Sequence, residues 1–207
     1  MALSGSGSDV TSSFITAAAA DPDGISTAAS ISGAANLTIG GALASGGSVT
    51  MDCPRNVTIL SAGDDSGITF TVTGTDESGT AITEVITGAD TGTATGSSFF
   101  QTVTQIATSG SSAGNVSAGS GTSCSGVISA SRCRLRGIYV VNGSGAATLK
   151  FREGSATGTI VMQFATVAGA STNSYPDIPD DGLLFKAGGY VTFTAVTDLT
   201  AMTTFFS

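Results

Sequence analysis

Three arginines at every other position, Arg132, Arg134 and Arg136, form the most concentrated positive charge in this chain, with Cys133 and Leu135 between them. On a strand, side chains two apart share a face, so this spacing predicts a short positive stripe. Arginine holds carboxylates through two parallel N–H···O bonds, and such a stripe would dock an acidic neighbour. The alternative is a solvated face paired with the protein's own acids. The carboxylates themselves gather in turn-like runs: Asp21-Pro22-Asp23-Gly24, Asp64-Asp65, Asp76-Glu77 and Asp177 to Asp181. Paired acids can hold Ca²⁺ through hard oxygens, yet none of these runs has the D-x-D-x-D-G spacing of a calcium loop. Asp and Gly here are the residues hairpin turns use for backbone hydrogen bonds and positive φ.

The chain contains no histidine. A Ser-His-Asp triad cannot be assembled, and most acid–base and metal chemistry loses its usual residue. No G-K-S/T closes a glycine-rich stretch, which removes a phosphate loop. With no Trp and 3 Tyr, a sugar-stacking cleft is poorly supplied, and nothing supports a two-carboxylate hydrolase. The expectation is a non-enzymatic protein that uses no cofactor. The cysteines are Cys53, Cys124 and Cys133, an odd number that argues against a complete disulfide framework. Cys124 and Cys133 could close one short loop; the plainer reading is small thiols near the core of a protein made in a reducing cytoplasm. The start, MALSGSGSDV, has no cationic region and no long apolar stretch, so it predicts no secretory signal.

The elements that must position these groups are legible in composition. Of 207 residues, 29 are Gly, 29 Ser and 31 Thr, while only 11% are charged. Helical bundles are rich in Ala, Glu, Lys, Leu and Arg; Thr and Val suit strands. Hydrophobic residues at 41% and a mean hydropathy of +0.33 exclude disorder throughout. No run reaches the ~18 apolar residues of a membrane helix. Seven cations under fifteen acids, a net charge of −8 and a pI near 4.1 cannot make the basic field that nucleic acid requires.

The predicted fold is all-β: two small antiparallel β-sandwich or jelly-roll-like units preceded by an extended N-terminal arm. Residues 1–48 read as the arm, because their larger apolar residues are spread thinly among alanines. Phe14, Ile15, Ile25, Ile31, Leu37 and Ile39 are then candidates for burial along a neighbouring subunit. The alternative is a strand of the first unit behind a loose tail. Residues 49–122 form the first unit, with strands at 48–51, 56–60, 68–75, 80–87 and 99–106. Ile68, Phe70 and Val72 alternate with threonines there, as a half-buried strand requires. The Ser/Gly/Ala run 110–121 reads as an exposed loop or linker. Residues 123–207 form the second unit, with strands at 135–141, 147–152, 159–165, 182–186, 190–195 and 201–206. Strands at such regular intervals between glycine-rich turns signal a sandwich or barrel. Phe70 and Phe151 are 81 apart, as are Arg55 and Arg136, which suggests a duplication.

The run RNVTILSAGDDSGITFTVTGTDESGTAITEVITGADTGTATGSSFFQTVTQI resembles a module of structural proteins of tailed bacteriophages and prophages. The runs RGIYVVNGSGAATLKFREGSATGTIVMQF and IPDDGLLFKAGGYVTFTAVTDLTAMTTFF are similar to small β-proteins of phage particles, above all those of marine podoviruses. The resemblance implies a capsid decoration, or cement, protein that binds the outer surface of the phage head. Its partner would be the major capsid protein, its location the virion, assembled in the host bacterial cytoplasm. It implies a homo-oligomer, with a trimer preferred. A tail fibre, spike or adhesin that binds the host surface through loops such as 110–121 is the alternative. No catalytic residue is carried over.

Overall fold

Alternating threonines and β-branched aliphatics do form strands: the chain is nearly all β, at 59% strand and 1% helix. The computed structural model describes residues 10–169, 172–179, 181–194 and 196–207. The strands, in chain order, begin with β1 (Thr11–Ile15), β2 (Ser26–Ser30), β3 (Ala44–Ser45) and β4 (Ser48–Asp64). β5 (Thr69–Thr75), β6 (Ala81–Thr87), β7 (Asp90–Thr95) and β8 (Phe100–Thr108) follow. β9 (Asn115–Ser129), β10 (Cys133–Asn142), β11 (Thr148–Glu153) and β12 (Ile160–Ala165) come next. The last four are β13 (Asn173–Ser174), β14 (Leu183–Phe185), β15 (Gly189–Phe193) and β16 (Leu199–Phe206). The pairings among them are antiparallel, in keeping with an all-β sandwich.

The chain divides into two compact units. Residues 18–124 form an inserted unit, and the segments before Ala18 and after Cys124 form a terminal unit. In the inserted unit β4 pairs with β7, β8 and β9, while β5 joins β8 to the edge strand β6. Its core gathers Val49, Val57, Ile59, Phe70, Val72, Phe100, Val103 and Ile106. In the terminal unit one sheet runs β1-β16-β10, with β13 and β14 beside β10. β11 there lies between β12 and β15.

Two sequence expectations change. The described part of the arm does not stand apart from the β units: its residues are shared between the two. β1 pairs with β16, and Ile15 is buried where Gly126 leaves room for its side chain. Ile25 and Leu37 lie in the inserted unit's own core, with Ile31 and Ile39 packed against it. The Ile25 N–H donates to the Ala118 carbonyl at 3.0 Å, and the Leu37 N–H to that of Ile106 at 2.9 Å. A chain poor in bulk can therefore bury its few large side chains, because it lies flat on the sheet. Residues 1–9 of the expected arm lie outside the described residues, as do Asp180 of the acidic run and Ala195 of an expected strand.

Most of the run 110–121 is not an exposed loop; only 110–114 lies outside a strand, exposed or half-buried. From Asn115 it is β9, with Val116 through Gly121 buried. Its side chains are small because other chain lies on it: a Cβ on Gly119 would meet the backbone of Asp21 and Pro22, and one on Gly121 would meet Asn56. Smallness there marks close packing, whereas in sequence it reads as a linker.

Candidate interaction surface

A rigid scaffold comes first. Asp52-Cys53-Pro54-Arg55 lies within β4, and Arg55 is 1% exposed. Its Nε donates to Asp52 Oδ1 at 2.7 Å and its Nη2 to Oδ2 at 2.8 Å. Nη2 also donates to the Ala18 carbonyl at 2.6 Å, and Nη1 to the Gly121 carbonyl at 3.3 Å. Asp52 Oδ2 in turn accepts the Ala18 N–H at 2.6 Å. Partial burial pushes the Asp52 carboxyl up, but the hydrogen bonds from Arg55 and Ala18 and the arginine's charge outweigh it and hold the pKa below its usual value. Cys53 forms a disulfide with Cys124, their Cα atoms 6.2 Å apart, within the normal range. Thus three residues within one four-residue stretch of β4, Asp52, Cys53 and Arg55, hold both the first and the last residue of the inserted unit. The disulfide corrects the expectation of free thiols. Counting cysteines cannot show that Arg55 and Cys124 are cross-strand partners, which places Cys53 beside the strand it bridges. Cys133 remains a free, buried thiol, and burial pushes its pKa up.

The acidic turns serve their own backbone. Asp64 Oδ1 accepts the Ser66 N–H and hydroxyl, and Asp76 Oδ1 accepts the N–H groups of Ser78 and Thr80. Among the described residues no group of three or more His, Cys, Asp or Glu could hold a metal ion.

The arginine stripe lies on the terminal unit. Cys133, Leu135, Ile138 and Val140 of β10 turn inward, and Arg134, Arg136 and Tyr139 lie on the other face. Arg132 precedes the strand and is exposed. Arg134 Nη1 donates to the carbonyls of Asp181 at 2.9 Å and Gly182 at 3.3 Å, and Arg136 Nε donates to Ser207 Oγ at 3.0 Å. These bonds hold the guanidinium stems while leaving the face arginine-lined. Register then brings aromatic side chains to the same face. Phe205 is partnered by Gly137 and Ser12, and Phe14 is partnered by Thr203, itself opposite Tyr139. Phe14 is 66% exposed and Phe205 40%. Tyr139 packs against Tyr175, ring centroids 5.0 Å apart.

Of the residues singled out in sequence, Arg134, Arg136 and Phe14 thus share one sheet face. Ile15 lies on the opposite face of that sheet, and Ile25, Ile31, Leu37 and Ile39 belong to the inserted unit's core. Phe205, Tyr139 and Tyr175 are additions. The available signal was the closing pattern Met202-Thr-Thr-Phe205, which alternates so that Phe205 opposes the buried Met202 and Thr204. No family model, no curated protein and no solved structure matches the chain.

Proposed function

We propose that this chain is a non-enzymatic structural protein of a phage particle, a decoration protein on the head that stabilises contacts between capsomers of the major capsid protein. The observation that carries the reading is the exposed face of β1, β16 and β10, where Arg134 and Arg136 stand beside Phe14, Phe205 and Tyr139. Arginine and aromatic residues are the side chains enriched where protein surfaces bury one another. The likeness of the 55–106, 136–164 and 178–206 runs to phage structural proteins supports the setting. A protein assembled in the host cytoplasm would close Cys53–Cys124 once particles meet oxidising surroundings. The sheet face replaces the arm as the contact: Ile15, Ile25 and Leu37 are buried within the chain, Ile31 and Ile39 pack against its core, and Phe14 alone of the arm candidates stays on the exposed face. Residues 115–121 are strand and largely buried, which leaves 110–114 as the part of that run open to the adhesin alternative.

Quantitative mass spectrometry of purified particles tests this. Hundreds of copies per particle are expected, on the scale of the major capsid protein. A handful of copies would place the chain in the tail, and absence from particles would overturn the reading.

A further inference from the structure

Charge is divided unevenly between the two units. Residues 18–124 carry nine carboxylates and one arginine, Arg55, whose charge is buried against Asp52. The terminal unit's segments carry six carboxylates and six cations, so the inserted unit holds the whole net charge of −8. Within it, Asp64 of β4 and Asp90 of β7 are cross-strand partners, and both are exposed. Like charges directly opposite one another weaken a sheet. The inserted unit's single cation is committed to Asp52, so it has none to offer this pair. Beside the pair lies Asp65, 1% exposed. Its Oδ1 accepts the Ala113 N–H at 2.8 Å, while Oδ2 accepts no hydrogen bond. Ser66 and Ala113 donate hydrogen bonds to Asp64 and Asp65, but no cation of the inserted unit is left to neutralise the exposed Asp64–Asp90 pair.

We propose that the Arg134–Arg136 face of one copy, with Arg132 in the bend just before it, docks on the Asp64–Asp90 pair of a second copy. The proposal rests on the structural-protein reading above and names the partner of that same face. Guanidinium groups fork onto carboxylates, and Phe14 and Phe205 supply apolar area at the centre of the contact. The two surfaces differ, so the contact is heterologous: it closes into a ring where the rotation permits and otherwise propagates as a filament. A ring of three copies would be the trimer that the resemblance implies.

Sedimentation equilibrium of the full chain tests this, with circular dichroism confirming that each variant is folded. Wild-type protein should self-associate, and raising NaCl from about 0.05 M to about 0.5 M should weaken association about tenfold or more, because exposed charge pairs are screened. The variants Arg132→Glu/Arg134→Glu/Arg136→Glu and Asp64→Lys/Asp90→Lys should each raise the dissociation constant about a hundredfold. Mixed in equal amounts they should associate again, since a Glu face then meets a Lys pair. A wild-type chain that stays monomeric at every salt concentration overturns the proposal. So does a folded mixture that fails to associate, or association that neither variant weakens. Each of these results leaves the particle copy number untouched, so failure of this contact is distinguishable from failure of the decoration reading.

Discussion

At the residue scale, Arg55 and Asp52 form an unequal pair: the guanidinium is buried and the Asp52 side chain is 39% exposed. Removing one partner strands the other, and the penalty follows the burial of what remains. Asp52→Ala leaves a buried, unneutralised guanidinium and should destabilise the inserted unit by about 3–5 kcal/mol. Arg55→Met leaves a carboxylate that water reaches, so its cost should be clearly smaller. Chemical denaturation of the two variants checks the order, and equal or reversed costs would remove the ion pair from the account. The pH dependence follows from the lowered Asp52 pKa. A depressed carboxyl contributes stability above its unfolded value, about 3.9, and loses it as pH falls through the lower native value. Stability should therefore drop on acidification below about pH 4, and Asp52→Asn should flatten that part of the profile. The cysteines give a separate expectation. With Cys133 buried and its pKa raised, Ellman's reagent should find almost no thiol in native protein. It should find one per chain after denaturation and three after reduction. Three thiols in the unreduced, denatured chain would contradict the Cys53–Cys124 bond.

At the element scale, Ile25 tests whether the early segment is covering layer or arm. It is wholly buried in the inserted unit's core, so Ile25→Ala should cost about 2–5 kcal/mol in denaturant unfolding. A loss below about 0.5 kcal/mol, the range of surface substitutions, would restore the arm. Strands with large alternating residues were legible: β5, β6, β8, β10, β11, β12 and β16 lie where period-two patterns place them. β9 was not legible, because Ser, Gly and Ala there permit backbone to approach backbone, and composition alone cannot separate that from a solvated linker. β2 was hidden for the same reason, its STAAS carrying no large residue. β7 was missed because Asp90-Thr-Gly-Thr-Ala-Thr offers only alanine to the apolar side of an alternation. The arginine stripe was legible from spacing, whereas its aromatic neighbours come from β1 and β16 by sheet register, which a single sequence does not display. One element carries a hazard. β12 pairs with β11 on one side, has no charge along IVMQFA, and exposes Ile160 and Val161. Uncharged apolar edge strands invite pairing with other chains. Val161→Lys should raise the temperature at which light scattering appears while changing stability by less than about 0.5 kcal/mol. Unchanged scattering would show that β12 is not where heated chains join.

At the scale of the whole molecule, the connectivity itself makes a prediction. Residues 18–124 are inserted into a unit made from both ends of the chain, and the insert's first and last residues are held by β4 through Arg55, Asp52 and the disulfide. Cys53 and Cys124 are 71 residues apart, so their bond closes most of the inserted unit into one loop. On the chain-entropy model, a loop of that length is worth about 4 kcal/mol to the unit it closes. The terminal unit contains no disulfide among its described residues. Tyrosine separates the two signals, because the chain has no Trp and its 3 Tyr, Tyr139, Tyr175 and Tyr190, all belong to the terminal unit. Tyrosine fluorescence therefore reports that unit alone, while far-ultraviolet circular dichroism reports strands of both. Adding reductant should move part of the dichroism transition to lower denaturant and leave the fluorescence midpoint where it was. If both midpoints fall together, the units unfold as one cooperative body, and the disulfide's stabilisation belongs to the whole chain.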